Sequence, residues 1–214
     1  MRCLIALPVL LLLVVPGCFI GTPGSGVSKT EIREVADFDR VSFGGSGDVT
    51  IRAGQEKSVT VTFDDNLIEM VETKVVDGEL LIRVNGSYNS SLGLDVEIGV
   101  PQLVGASASG VGDIEVHDVK GSKLDVTVSG VGEIKATGNV DNLEVHVSGV
   151  GSAELQDLKA KHVEVSVSGT GGAEVFASES VEASASGVGG IDVYGNPSQI
   201  QETASGVGDI DFKN

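Results

Sequence analysis

The chain has no tryptophan, and phenylalanine and tyrosine together supply only 4% of its 214 residues. Its core must therefore be built from small aliphatic side chains, and few rings are available to stack on sugars. Cysteine occurs twice, at Cys3 and Cys18. That leaves no disulfide framework and no Cys-x-x-Cys pair for redox or metal chemistry. All five arginines (Arg2, Arg33, Arg40, Arg52, Arg83) precede residue 84, so the second half has no guanidinium to grip phosphate. The formal net charge of −17 repels nucleic acid and anionic lipid and excludes a nucleic-acid partner. It favours solubility, divalent cations or basic partners. Beyond residue 15 no apolar stretch approaches the ~20 residues needed to span a bilayer as a helix.

The N-terminus is a leader. Met1-Arg2 is followed by an apolar run from Leu4 to Val15, the length of a signal-peptide core. The run ends in Val15-Pro16-Gly17-Cys18, which resembles a bacterial lipobox with Cys18 as the acylated residue. An ordinary secretory signal cut nearby, leaving Cys18 a free thiol, is the alternative. Residues 1–17 are thus expected to be a lipoprotein signal peptide, and residues 18–30, with Gly21 to Ser28 reading GTPGSGVS, a flexible tether. Losing Arg2 takes the formal net charge from −17 to −18.

What the chain has in abundance is glycine and alternation. Ser-Gly-Val-Gly or a near copy begins at Ser109, Ser129, Ser148, Ser168 (with Thr170 for Val), Ser186 and Ser205, at spacings of 20, 19, 20, 18 and 19 residues. Between the copies apolar residues recur every second position: Leu124, Val126, Val128, then Leu143, Val145, Val147, then Val163, Val165, Val167. After the glycines run two further apolar columns, from Ile114 to Ile210 and from Val116 to Phe212. A period near 20 with strand alternation predicts a parallel β-helix of two strands per coil, in which each coil buries its apolar edge on the next. Leucine-rich repeats would need a Leu-x-x-Leu-x-Leu frame that is missing. A calcium-binding nonapeptide roll would need half this period, and its Asp is not kept in every copy.

Before the repeats, the pattern predicts short strands at Val41–Phe43, Asp48–Ile51 and Val59–Phe63. Gly44–Gly47 reads as a degenerate first turn, residues 66–73 as a turn or two of helix, and residues 75–82 as a hairpin about Asp77-Gly78. One continuous domain over 31–214 is expected, irregular over 31–100 and regular over 101–214.

The lipobox, the opening Phe38-Asp39-Arg40-Val41 leading to Asp48-Val49-Thr50-Ile51, and the Ser-Gly-x-Gly-Asp/Glu-Ile turns together resemble the auto-transporter adhesin head GIN domain family of bacterial envelope proteins. The resemblance covers about Val35 to Phe212. It implies an all-β, right-handed parallel β-helix, surface-exposed, with a suspected adhesive role and no catalytic residues.

Candidate sites are outward columns. Asp125, Glu144, Glu164 and Glu182 form an acidic strip suited to cations or amines, against the plainer reading of a solvated face. A second acidic column runs through Glu115, Glu154, Glu174, Asp192 and Asp211, broken by Lys135. Phe176 and Tyr194 share a column and are the best pair for a glycan. The turn serines are expected to satisfy backbone groups. No cofactor is expected, and calcium is the one metal considered. The reading is a non-catalytic, lipid-anchored envelope protein, at the outer membrane or cell surface, that presents a repetitive surface to a glycan or protein. The alternatives are a polysaccharide hydrolase or lyase, for which no carboxylate pair stands out, and a purely structural scaffold. Self-association through the open β-helix ends is a further expectation.

Overall fold

The computed structural model describes residues 21–213. The expected signal peptide and Cys18 lie outside them. In chain order the strands are β1 (Thr22–Pro23), β2 (Ser28–Ile32), β3 (Arg40–Phe43), β4 (Asp48–Ala53), β5 (Ser58–Asp64), β6 (Val71–Val76), β7 (Glu79–Val84), β8 (Tyr88–Asn89) and β9 (Asp95–Val100). They continue as β10 (Gly105–Ala108), β11 (Ile114–Val128), β12 (Glu133–Val147), β13 (Ser152–Val167), β14 (Gly172–Ala185), β15 (Ile191–Tyr194), β16 (Gln199–Ala204) and β17 (Ile210–Lys213). The expected parallel β-helix is present. Its helical content among the described residues is one 3-10 turn, Ile68–Met70, where the sequence suggested a turn or two.

In β11 to β14 each coil is one long bent strand rather than the two strands expected, whereas the following coil is divided between β15 and β16. The buried positions mark the bends. Along β11 they run Ile114, Val116, then Val119, then Leu124, Val126, Val128. Along β13 they run Ala153, Leu155, then Leu158, Ala160, then Val163, Val165, Val167. The spacing of two is interrupted at each bend, by three residues from Val116 to Val119 and five from Val119 to Leu124 in β11, and by three at both bends of β13. The ladder between β11 and β12 breaks register between Val116 and Val119, where Asp118 has φ 61°. The coil is therefore three-faced. The first face follows the Ser-Gly-Val-Gly turn, the second is short (Val119 to Gly121 in β11), and the third leads into the next turn.

At the turn, glycine is a steric requirement. A Cβ on Gly130 would stand 2.0 Å from the Gly110 carbonyl oxygen of the preceding coil. The turns stack by backbone bonds such as Val131 N–H to Gly110 O (3.0 Å), and Gly44–Gly47 joins the same stack through Val111 N–H to Gly45 O (2.9 Å). The Asp that follows some turns has a structural task. Asp113 Oδ1 accepts the Glu133 N–H of the next coil (3.0 Å), as Asp48 Oδ1 accepts that of Asp113 (3.4 Å).

The first half departs from sequential stacking. β3 and β4 lie between the coil begun by β10 and β11 and a coil formed later in the chain by β7 and β9. The chain leaves the β-helix after β4, crosses its end, builds the terminal coil and then returns to add the rest. β5 and β6 pair antiparallel with β9 and β7, and β2 pairs antiparallel with β5, so antiparallel strands edge this end. Phe43, Phe63, Leu67, Ile68, Leu80 and Ile82 fill the core beneath it. The expected hairpin is β6–β7, with positive φ at Asp77 and Gly78.

Residues 21–30, assigned by their glycines to a flexible tether, are instead held against the fold. Thr22 N–H donates to Ser87 O (2.8 Å) and Gly24 N–H to Asn89 O (2.8 Å). Gly26 N–H donates to Oδ1 of the fully buried Asp64 (2.7 Å), whose other oxygen accepts the Ser90 hydroxyl. Such a buried carboxylate is tolerable only with donors supplied, and this segment supplies one of them.

Candidate functional site

The outward columns read from the sequence are real ladders. Asp125, Glu144, Glu164, Glu182 and Gln201 stand in register on the third face. Two positions earlier runs Lys123, Asn142, His162, Ser180 and Gln199. Between the columns, from Lys123 to Gln201, lies an open groove of about 600 Å³, floored by Leu143, Val163, Val181 and Ile200. Strand stacking at ~4.8 Å makes it ~19 Å long along the axis.

Its acids are not equivalent. Asp125 is taken up by Arg40 (2.8 Å) and Lys123 (2.8 Å). Glu144 is bound by Lys123 (2.9 Å) and lies 3.0 Å from His146 Nε2; these partners, Lys123 first, hold its carboxyl below the usual range. Among the described residues Glu182 accepts only from Gln201 Nε2 (3.3 Å). Glu164 is exposed and has no ion pair or hydrogen-bonded side chain among the described residues. Beside it His162 Nδ1 is 2.8 Å from the Ser180 hydroxyl. One end of the strip is thus neutralised, and the other presents free carboxylates flanked by amides and a hydroxyl. Lining by Asn142, His162, Ser180 and Gln199 was not read from the sequence. The available signal was their shared column two places before the acids.

The second acidic column, on the first face, is spanned by lysines. Lys135 bridges Glu133 (3.2 Å) and Glu154 (3.1 Å), and Lys213 bridges Asp192 (3.3 Å) and Asp211 (3.1 Å). Burial, then the nearby Glu154, raises the Glu133 carboxyl above its usual value. Among the described residues no group of three or more His, Cys, Asp or Glu side chains is placed to hold a metal ion.

Phe176 and Tyr194 do share a ladder position. The Lys159 ammonium, however, lies 3.8 Å from the Phe176 ring centroid, covering a face that a sugar would need. Tyr194 Oη donates to Glu174 (3.4 Å). Of the turn serines, Ser109 donates to Phe43 O (3.3 Å). At the far end of the β-helix, Glu202 occupies the inward column held by Val126, Val145, Val165 and Ala183 in earlier coils. A further coil stacked there would bury its carboxylate.

A family model described as "Putative auto-transporter adhesin, head GIN domain" matches residues 37–197. No curated protein matches the chain in sequence. Among solved structures, a "putative adhesin" from Bacteroides fragilis is 26% identical, with a TM-score of 0.75 over 90% of this chain and all of that one. "Putative adhesin" structures from Parabacteroides distasonis and Parabacteroides merdae are 22% and 20% identical, with TM-scores of 0.60 and 0.55 over 90% of this chain and 99% of theirs. At that identity these two speak for the fold alone.

Proposed function

The chain belongs to the auto-transporter adhesin head GIN domain family, and from that membership we propose that it is a non-catalytic envelope lipoprotein, anchored at Cys18, that binds its ligand along the third-face groove. The observation that carries the reading is the groove itself. Glu164 and Glu182, without a cationic partner among the described residues, lie in a channel also lined by Asn142, His162, Ser180, Gln199 and Gln201, with the Lys123–Glu144 pair at its neutralised end. Hydrogen-bonding groups repeated once per coil suit an extended chain bearing hydroxyl and amine groups, because each ligand unit meets a similar set. Such contacts add up by effective concentration rather than by one deep pocket.

No step of chemistry is assigned. Acid/base cleavage would need a pair of carboxylates set apart from their neighbours, whereas these acids differ mainly in which cation neutralises them. The test is a screen of the mature protein on glycan and extracellular-matrix arrays, with and without calcium, beside a Glu164→Gln/Glu182→Gln variant. Saturable binding of the parent, weakened at least tenfold in the variant, is expected. Binding that the variant keeps would move the site elsewhere, and silence on both arrays would favour a scaffold. Coincident melts in millimolar calcium and in chelator would remove calcium from the account.

A further inference from the structure

We propose that the Ser-Gly-Val-Gly edge is a lipid-facing surface, on which the head lies lengthwise against the bilayer that carries its anchor. The proposal rests on the Cys18 anchor reading. Along that edge Val111, Val131, Val150, Val188 and Val207 are 55%, 51%, 63%, 64% and 80% exposed. The turn does not require them. Ser46 bridges Val111 at the same ladder position, and Thr170 N–H makes the same bond to the preceding coil (3.0 Å) as Val150 and Val188 do (3.1 Å each). Polar side chains fold there equally well, so the exposed valines call for another explanation. The four-residue turns also carry no charge, on a chain of net −17. A neutral apolar line is the part of this acidic molecule that gives up water most readily.

The anchor emerges at the end of the same line. The 85–94 connection between β7 and β9 stacks over the Gly44–Gly47 turn, with Tyr88 Oη donating to Ser46 O (3.0 Å). β1 pairs with Tyr88–Asn89 of that connection. Cys18 is four residues before Thr22, which at full stretch is only ~14 Å. Acyl chains at Cys18 would therefore hold this edge close to the membrane. The surface across from it, with Lys120 and Asn139 on the second face, would look outward, and the groove on the third face would stay open alongside the edge. A second copy is a poorer occupant. Two convex edges meet along a line and bury little area, and each copy would bring its own negative charge.

The experiment uses the full precursor, processed in cells and reconstituted in phosphatidylcholine vesicles containing a headgroup-nitroxide lipid. Single cysteines at Ser148 and Ser186 on the edge, and at Lys120 and Asn139 on the second face, carry a fluorophore. The intact mass first reports whether Cys18 is acylated. A mass without acyl chains defeats the anchor reading, and with it the premise. With acylation confirmed, labels at Ser148→Cys and Ser186→Cys should be quenched at least threefold more than those at Lys120→Cys and Asn139→Cys. Replacing Val111, Val131, Val150 and Val188 by Ser, with an unchanged melt, should erase that difference. Equal quenching at all four sites, quenching at Ser148 but not Ser186, or efficient copy-to-copy disulfides through Ser148→Cys would each overturn the proposal while leaving the anchor intact.

Discussion

Replacing Gly169 by alanine should unstack the β-helix at its middle. The added Cβ would lie 2.0 Å from the Gly149 carbonyl oxygen and 2.9 Å from that of Ser148, both backbone atoms of the preceding coil. Neither can swing aside as a side chain could. The coils must part by about an ångström, which endangers the bonds from Thr170 N–H to Gly149 O (3.0 Å) and from Val188 N–H to Gly169 O (3.1 Å). Overpacking costs ~1–3 kcal/mol, and leaving a backbone group unpaired costs a similar amount. A loss of about 4 kcal/mol follows, which for a domain of this size lowers Tm by on the order of 10 °C. Gly121→Ala is the matched control. A Cβ there meets nothing within 4 Å, so the same change should be neutral or stabilise by ~0.5 kcal/mol through the unfolded chain. Circular-dichroism melts of the two variants decide the matter. If Gly169→Ala melts with the parent, or both variants shift alike, steric contact between stacked turns does not hold the fold together.

Other perturbations have equally definite outcomes. Glu133→Gln should raise Tm at neutral pH, because folding holds the Glu133 carboxyl above its usual value. The gain should be absent below about pH 4, where parent Glu133 is protonated in both states, and appear as pH rises through the elevated pKa. A gain that grows toward acid would reverse the sign. Asp64→Ala should free residues 24–26, seen as rapid hydrogen exchange at the Gly26 amide, and cost ~2–3 kcal/mol; an amide that stays protected would show that Asp64 is not the latch. Glu202→Val, which continues the apolar inward column, should yield dimers or larger species by light scattering at concentrations where the parent is monomeric. If both run alike, Glu202 does not guard that end.

The sequence by itself determined the repeat. Residues 19 or 20 apart become neighbours on stacked strands, so equal spacing of Ser-Gly-Val-Gly and alternation of Val, Ile and Leu specify both the coil and its columns. The in-register acids on the third face follow from that spacing alone, as does the hairpin at Asp77-Gly78 from its turn chemistry. Only the tertiary structure decided the rest, because it depends on contacts without a period. The placing of β7 and β9 before β3 and β4 depends on pairing across tens of residues, which no local pattern encodes. The docking of residues 21–30 hinges on Asp64, whose burial shows only once β5 is packed. Which acids are free depends on where Arg40 and Lys123 reach, and that separates Glu164 from Asp125 within one uniform column. The turn valines looked like part of a structural motif. Their exposure, beside Ser46 and Thr170 at the same position, shows that the motif needs its glycines for stacking and leaves the valine side chain to the surroundings.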